Sequence, residues 1–403
     1  MIPKDYRFYS PEGRVYPNGG PRSWVVIDFD QRRCFRIAGP AEILPDHESA
    51  EKLVAQYADH VGPEVHLIQL SADGSLLSVS SDNDPTWEIR YSDVPESVKD
   101  SELVCRSELI EVDRLHVCTD VVQHPQSNEV VAFKYAITQE NVPSIWDELH
   151  ILKALKHNKC FVDFHRVVID DVSRKILGFT SKFIFGPTLE HYHSTFYFHW
   201  LEQLTTAVDI LNLQFGIMHQ DVAPRNIMVD SMDLKLFDFD KAVRIGGQEQ
   251  YPTLNDVDGV VFTVYEALTK DEHFRQVDFR ERDAHVVESL KEWELVIPLE
   301  DGKSIVEYRN QLGTWAAYRR QNRTITHQSE ATNPIVWPEY KKPPTFRIPC
   351  PSGEIEVSCR HRKDALAVGD YVTLWERASS YQKVETNSMN ATIKKSQCTE
   401  SSL

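Results

Sequence analysis

Nowhere in its 403 residues does the chain hold a run of about 18 apolar residues, so no helix able to cross a bilayer is predicted. The opening residues, Met1-Ile2-Pro3-Lys4-Asp5-Tyr6, lack the apolar stretch of a signal peptide, which predicts a chain that is not secreted. Basic charge is also short. The 44 Lys and Arg against 61 Asp and Glu give a formal net charge of −17. Phosphate backbones repel such a chain unless a basic stripe is segregated, and no such stripe is visible, which argues against nucleic acid or anionic membrane as the main partner. The seven cysteines have no short repeating spacing, so reduced thiols and a cytoplasmic or nuclear setting are expected. Cys359-Arg360-His361, with Cys350 nearby, is a fragment of a zinc pattern that lacks a fourth ligand. His191-Tyr192-His193 reads as a solvated helix start, and the sequons at Asn322 and Asn390 are coincidences in a chain that is not secreted.

What is present is apolar content sufficient for a core, 41% hydrophobic and 10% aromatic, and length enough for a two-lobed domain of about 200 to 250 residues with something left over. The most informative stretch is His219-Gln220-Asp221-Val222-Ala223-Pro224-Arg225-Asn226, followed by Asp238-Phe239-Asp240. An aspartate, an asparagine five residues on and a second aspartate after an apolar run supply what phosphoryl transfer requires. Asp221 accepts or orients the proton of the attacking hydroxyl, while Asn226 and Asp238 offer hard oxygens suited to Mg²⁺. The short runs Ile227-Met228-Val229 and Leu234-Lys235-Leu236-Phe237 flank the turn-forming Asp230-Ser231-Met232-Asp233, so a hairpin is predicted to hold Asn226 and Asp238 within reach of one metal.

Upstream, Val130 to Ile137 reads as a strand carrying Lys134 amid apolar neighbours. Lysine seldom sits in such a run without a partner. Asn141 and Pro143 signal a helix start, Ile145, Leu149, Leu152 and Leu155 mark its apolar face, and Glu148 beside them is the expected partner of Lys134. Strands are predicted at Phe164 to Asp170 and Ile176 to Phe185, ending in a Gly186-Pro187 turn, with adenine placed against the backbone of Lys182, Phe183 and Ile184. Helices are predicted over Trp200 to Leu213, over the stretch from Asp256 with Val257, Val260, Val261, Val264 and Leu268 inward, and around the charge-rich Arg280 to Glu294. Residues 1–100 read as a small α+β extension with strands at Trp24 to Phe29 and Val65 to Leu70 and a helical stretch between Ala41 and Tyr57. Proline-dense Asn333 to Pro351 predicts an extended segment within a C-terminal extension (326–375), and 376–403 a disordered tail.

From about Ser101 to Lys270 the chain resembles the eukaryotic protein-kinase superfamily. The residues that carry this are Lys134, Glu148 with Leu152 and His157, His219/Asp221/Asn226, Asp238-Phe239, and Asp256 with Tyr265-Glu266. The His-Gln-Asp-x-Ala-Pro-Arg-Asn loop looks most like kinase-like proteins of filamentous fungi. The resemblance implies an α+β, bilobal fold, with a small β-rich N-lobe with one helix at 101–185 and a mainly helical C-lobe at 186–325. It also implies ATP and Mg²⁺ as cofactors, with Lys134 and Glu148 on the nucleotide, Asn226 and Asp238 on the metal and Asp221 as the catalytic carboxylate. Arg225 resembles the tyrosine-kinase form of the loop, where arginine stabilises the transferring phosphoryl group.

Departures from that pattern qualify the function. Val112 to Val122 contains no glycine, so the backbone cradle over the phosphates is missing or built differently. Gln220 replaces the usual arginine that reads a phosphorylated activation loop. The stretch from Asp238 to Asp256 is short and no Ala-Pro-Glu follows, while Asp240 in place of glycine resembles aminoglycoside phosphotransferases, an extra carboxylate that either binds a second Mg²⁺ or stiffens the turn. Three readings follow: a kinase of protein hydroxyls, a small-molecule kinase, and a pseudokinase that binds without catalysis.

Overall fold

The computed structural model describes residues 1–14, 20–124, 127–322, 324–350 and 353–381. They form two compact units. The first comprises Met1–Val142, Val168–Leu177 and the chain from Lys341 onward, the second Pro143–Val167 and Gly178–Tyr340.

In the first unit, β1 (Phe8–Arg14), β2 (Arg22–Asp28), β3 (Arg33–Gly39), β4 (Leu67–Leu70) and β5 (Leu76–Ser80) form a sheet in chain order. All neighbours are antiparallel except β3 and β4. A parallel pair needs a crossover, and α1 (His47–Tyr57) supplies it. The helix begins only at His47, within the stretch read as helical from Ala41, because the Asp46 side chain caps it by accepting the Ser49 N–H at 2.8 Å. Its Ala50 and Val54 are buried with Val26, Phe35, Ile37 and Ile68, which gives this extension a core of its own. Buried Arg7 closes one end, donating to Asp28 at 2.6 and 3.0 Å and to Asp59 at 2.6 and 2.8 Å.

The same unit holds a second sheet of β6 (Leu103–Cys105), β7 (Ile110–His116), β8 (Thr119–His124) and β9 (Glu129–Tyr135). It is completed by the tip of the hairpin formed by β10 (Phe164–Ile169) and β11 (Ile176–Lys182), in the order β6-β10-β11-β9-β8-β7. Side chains alternate along β9, so Val131, Phe133 and Tyr135 are buried on one face while Lys134 is only half-buried. The buried face is covered by the returning C-terminal chain. Trp375 stacks on Tyr135 at 4.9 Å between ring centroids and donates its indole N–H to the Tyr91 hydroxyl at 2.6 Å.

That return corrects the expectation of a tail disordered from residue 376. Arg377 pairs with Glu111 and Asp120 at 2.8 Å each, and Ser380 donates its backbone N–H to Asp30 at 2.8 Å. The carboxylates come from three segments distant in sequence, so composition near residue 376 could not reveal them. Residues 382–403, the rest of the predicted tail, lie outside the described residues. The proline-dense segment ends in an extended strand, Phe346–Cys350, that pairs with Gly353–Val357, and a short helix, Arg362–Ala367, follows.

The second unit begins in α2 (Asn141–Leu155), of which the first two residues fall in the first unit. α3 (Phe198–Asp209) runs on into a wider π-type turn over Ile210–Phe215 that closes at Gly216, whose φ of 70° requires a residue without a Cβ cost. β12 (Ile217–Met218), β13 (Ile227–Asp230), β14 (Asp233–Leu236) and β15 (Val243–Arg244) follow, with β13 on β14 and β12 on β15. α4 (Asp256–Thr269) was expected to be amphipathic, yet all its residues except Asp258 and Gly259 are buried. The reason is that α3, α6 (Ala284–Ser289) and α7 (Ile305–Asn322) all pack on it, with α5 (His273–Gln276) following directly in sequence. The predicted charged helix around Arg280 to Glu294 is thus reduced to the six residues of α6, capped by the Asp283 side chain.

Candidate active site

The catalytic-loop motif lies between β12 and β13. Its shape is imposed from below by α4. The buried Asp256 carboxylate at the start of that helix accepts the backbone N–H groups of His219 and Gln220 at 2.8 and 2.9 Å and the Asn212 amide at 2.8 Å. Burial pushes the Asp256 carboxyl up, and the hydrogen bonds from His219, Asn212 and Gln220 hold against it. These bonds lock Gln220 in the left-handed region at φ 61°, an unusual state for a residue with a side chain. Gln220 itself then acts as a clamp. Its amide nitrogen donates to the carbonyls of Lys241 and Glu249 at 3.1 and 3.2 Å, and its oxygen accepts the Tyr251 N–H at 2.7 Å. The segment after Asp238 is therefore held by a neutral amide where an arginine would need an anion.

Asp221 stands at the centre of the loop. Arg225 reaches its Oδ1 at 2.5 Å, and Lys241 and Asn226 reach its Oδ2 at 2.9 and 3.1 Å. Burial works against the charged carboxylate, but the Arg225 and Lys241 cations overcome it and hold the group down at about 2. Lys241 carries no motif signal, and the sequence reading missed it. The only hint was its place directly after Asp238-Phe239-Asp240.

Asn226 and Asp238 are brought together by the predicted hairpin. Ile227 pairs with Leu236 across β13 and β14, and the Phe237 N–H donates to the Asn226 carbonyl at 3.0 Å, so Asp238 follows directly. The Asn226 amide nitrogen donates to the Asp221 backbone carbonyl at 2.9 Å as well as to its side chain, which leaves the amide oxygen as the acceptor end. Asp238 has φ 66°, and Phe239 behind it is fully buried, 4.8 Å from the His219 ring and 5.9 Å from Phe161. The Phe239 N–H donates to Glu148 Oε1 on α2 at 3.1 Å. Asp240, two residues on from Asp238, is exposed.

In the first unit, Lys134 on β9 faces Thr119 across the ladder, and the turn joining β7 to β8 is only Val117-Cys118. Val117 packs against Ile2, Ile27 and Phe29, and burial pushes the neighbouring Cys118 thiol up to about 11. The loop expected to be glycine-free is thus a tight turn sealed by the N-terminal extension.

Residues 118–280 match the protein-family model described as Protein kinase domain. This segment belongs to the protein kinase superfamily. The match begins at Cys118, after the glycine-free β7, and extends past α4. No curated protein matches the chain.

Among the residues assigned to adenine, the kinase domain places Lys182 at the end of β11, where its N–H donates to the Asp163 carbonyl at 2.9 Å and its ammonium pairs with Asp230 at 2.9 Å. Phe183 meets Phe185 edge to face, and Ile184 is buried. Gly186 follows because the Val229 carbonyl oxygen lies 2.0 Å from where a Cβ would stand. That closeness lets Val229 donate to the Pro187 carbonyl and Leu189 to the Ile227 carbonyl, tying this segment to the strand after Asn226. Among the described residues no group of three or more His, Cys, Asp or Glu could hold a metal ion. His361 of the zinc-like fragment instead stacks on Trp87 at 4.1 Å, His191 bonds Thr188, and the Cys350 side chain lies outside the described residues. No described helix is long and apolar enough to cross a membrane.

Proposed function

We propose that the chain is an ATP- and Mg²⁺-dependent phosphotransferase that moves the γ-phosphoryl group to a protein hydroxyl. The observation that carries this reading is the Asp221 cluster, a buried carboxylate kept ionised by Arg225, Lys241 and Asn226 on a loop clamped by Asp256. A bond forms between the acceptor oxygen and the γ-phosphorus, the bond from that phosphorus to the bridging oxygen breaks, and ADP departs. The hydroxyl proton passes to Asp221 and on to solvent. A carboxylate with a value of about 2 holds a proton weakly, so its main work is to orient the hydroxyl and accept the proton late. Arg225 and Lys241 bring two positive charges to the place where negative charge develops on the phosphoryl oxygens. Lys134 and Glu148 are assigned to positioning the nucleotide phosphates, and the backbone of Phe183 and Ile184 to adenine.

Mg²⁺, when bound, neutralises the β- and γ-phosphate oxygens. Asn226 and Asp238 would hold it, with Asp240 as a further carboxylate. The donor set fits, because the Asn226 amide nitrogen is committed to Asp221 and its hard oxygen is the remaining coordinating atom.

The test is transfer from labelled ATP by the full chain to a protein mixture and, separately, to a mixture of hydroxylated metabolites. Label on protein is expected; label on metabolites alone would support the small-molecule kinase instead. One observation favours a weak, binding-only module: the sealed Val117-Cys118 turn offers no glycine backbone to the phosphates. A thermal-shift titration with Mg-ATP separates the two, since the enzyme reading requires both a shift and turnover.

A further inference from the structure

A recess beside the catalytic loop is lined by Gln220 and Val222 of the loop, Gly259 and Phe262 of α4, and Arg275 and Arg282 from the stretch after α4. About 300 Å³ of space, part of it open to solvent, lies among these residues. Asp258 also lines it, but that carboxylate is committed to Arg320 at 2.6 Å.

The two arginines are incompletely used. Arg275 donates its Nε to both oxygens of Glu266, at 2.7 and 2.9 Å, while its Nη2 is buried with no hydrogen-bond partner. Buried polar hydrogens are nearly always paired, so this nitrogen lacks the acceptor that such a group normally finds. Arg282 donates its Nε to the Val277 carbonyl at 3.1 Å and pairs with no carboxylate among the described residues. Burial and then the like charge of Arg275 hold Arg282 below the usual arginine range, and the charges of Asp221, Glu266 and Arg225 are also felt at its guanidinium. The recess therefore shares the electrostatic field of the catalytic carboxylate.

We propose that this recess is an acceptor subsite that takes an acidic side chain, Asp or Glu, lying close in sequence to the hydroxyl of a protein substrate. The proposal deepens the phosphotransferase reading and rests on it for the location of the acceptor hydroxyl. Arginine suits the task because its planar fork binds a carboxylate through two parallel hydrogen bonds. The chain as a whole carries −17, so it repels an acidic peptide at long range and the attraction has to come from these local cations.

The test uses the full chain and two fluorescent peptides, a tyrosine flanked by glutamates and its counterpart with every glutamate replaced by glutamine, read by anisotropy without nucleotide. The acidic peptide is expected to bind about tenfold more tightly, the worth of one charge-assisted hydrogen bond. Arg282→Gln should bring that ratio close to one, and Arg282→Lys should keep part of it. Equal binding of the two peptides, a ratio unchanged in Arg282→Gln, or equal displacement of the acidic peptide by free succinate at the same concentration overturns the proposal. Both peptides are then offered with labelled ATP. Preferential binding without phosphate transfer to either peptide would reject the phosphotransferase reading while leaving the acidic subsite standing, so the two failures are distinguishable.

Discussion

At the scale of the residue, Asp221 depends on its neighbours more than on its own chemistry. Its carboxyl is depressed to about 2 in the folded chain against about 3.9 in the unfolded one, a difference of about 2.6 kcal/mol. A depressed acid contributes stability above its unfolded value and loses it as pH falls toward the folded value. Asp221→Asn should therefore cost about 2.6 kcal/mol in urea unfolding at pH 6, with the gap from the native chain narrowing below pH 4. Lys241→Ala removes one of the two cations. It should lower kcat by about tenfold and shift the acid limb of the pH–rate profile upward toward the ordinary carboxylate range. The clustering of Asp221, Arg225 and Asn226 was legible in the sequence because all three stand on one short loop. Lys241 was not, because a lysine after a turn has no periodicity and acts only once the segment is folded back by Gln220.

At the scale of the element, the site is held by α4 and by the β13–β14 hairpin. Asp256→Ala would leave the buried N–H groups of His219 and Gln220 without an acceptor, each worth about 1–3 kcal/mol, so a stability loss of about 3 kcal/mol and loss of transfer are expected in chemical unfolding and activity assays. Gly186→Ala places a Cβ against the Val229 carbonyl and should destabilise by about 1–3 kcal/mol, because the backbone itself must shift. The hairpin was predictable from two short apolar runs around a turn. α4 misled in one respect: its valines mark an inward face, but its polar residues Thr263, Glu266 and Thr269 are buried too, since Thr263 donates to the Val222 carbonyl, Glu266 pairs with Arg275 and Thr269 bonds the Tyr265 carbonyl. Periodicity reports apolar faces and has no means of seeing such pairings.

At the scale of the whole molecule, the first unit is assembled from chain segments that composition treats as separate regions. Residues read as an isolated extension, as part of a kinase lobe and as a tail share one set of buried contacts through Arg377, Trp375 and Asp30. Cutting the chain before Lys341 removes the cover over Phe133 and Tyr135. Hydrogen exchange should then accelerate in β8 and β9, and Trp375→Ala alone should cost about 3–5 kcal/mol. Unchanged exchange in these strands would contradict a structural role for the returning segment. The kinase-like core from Cys118 to α4 was legible because its motif residues recur at set spacings; the docking of residues 375–381 on the first unit was not, because ion pairs such as Arg377 with Asp120 leave no local pattern.

The proposed phosphotransferase stands or falls with Asp221. The most direct measurement is the initial rate of label transfer from γ-labelled ATP, with Mg²⁺ present, by the native chain and by Asp221→Asn at equal folded concentration. A native rate above background that falls by about 10²- to 10⁴-fold in the variant is predicted. Equal rates in the two proteins, or no transfer by the native chain to any acceptor, would contradict it.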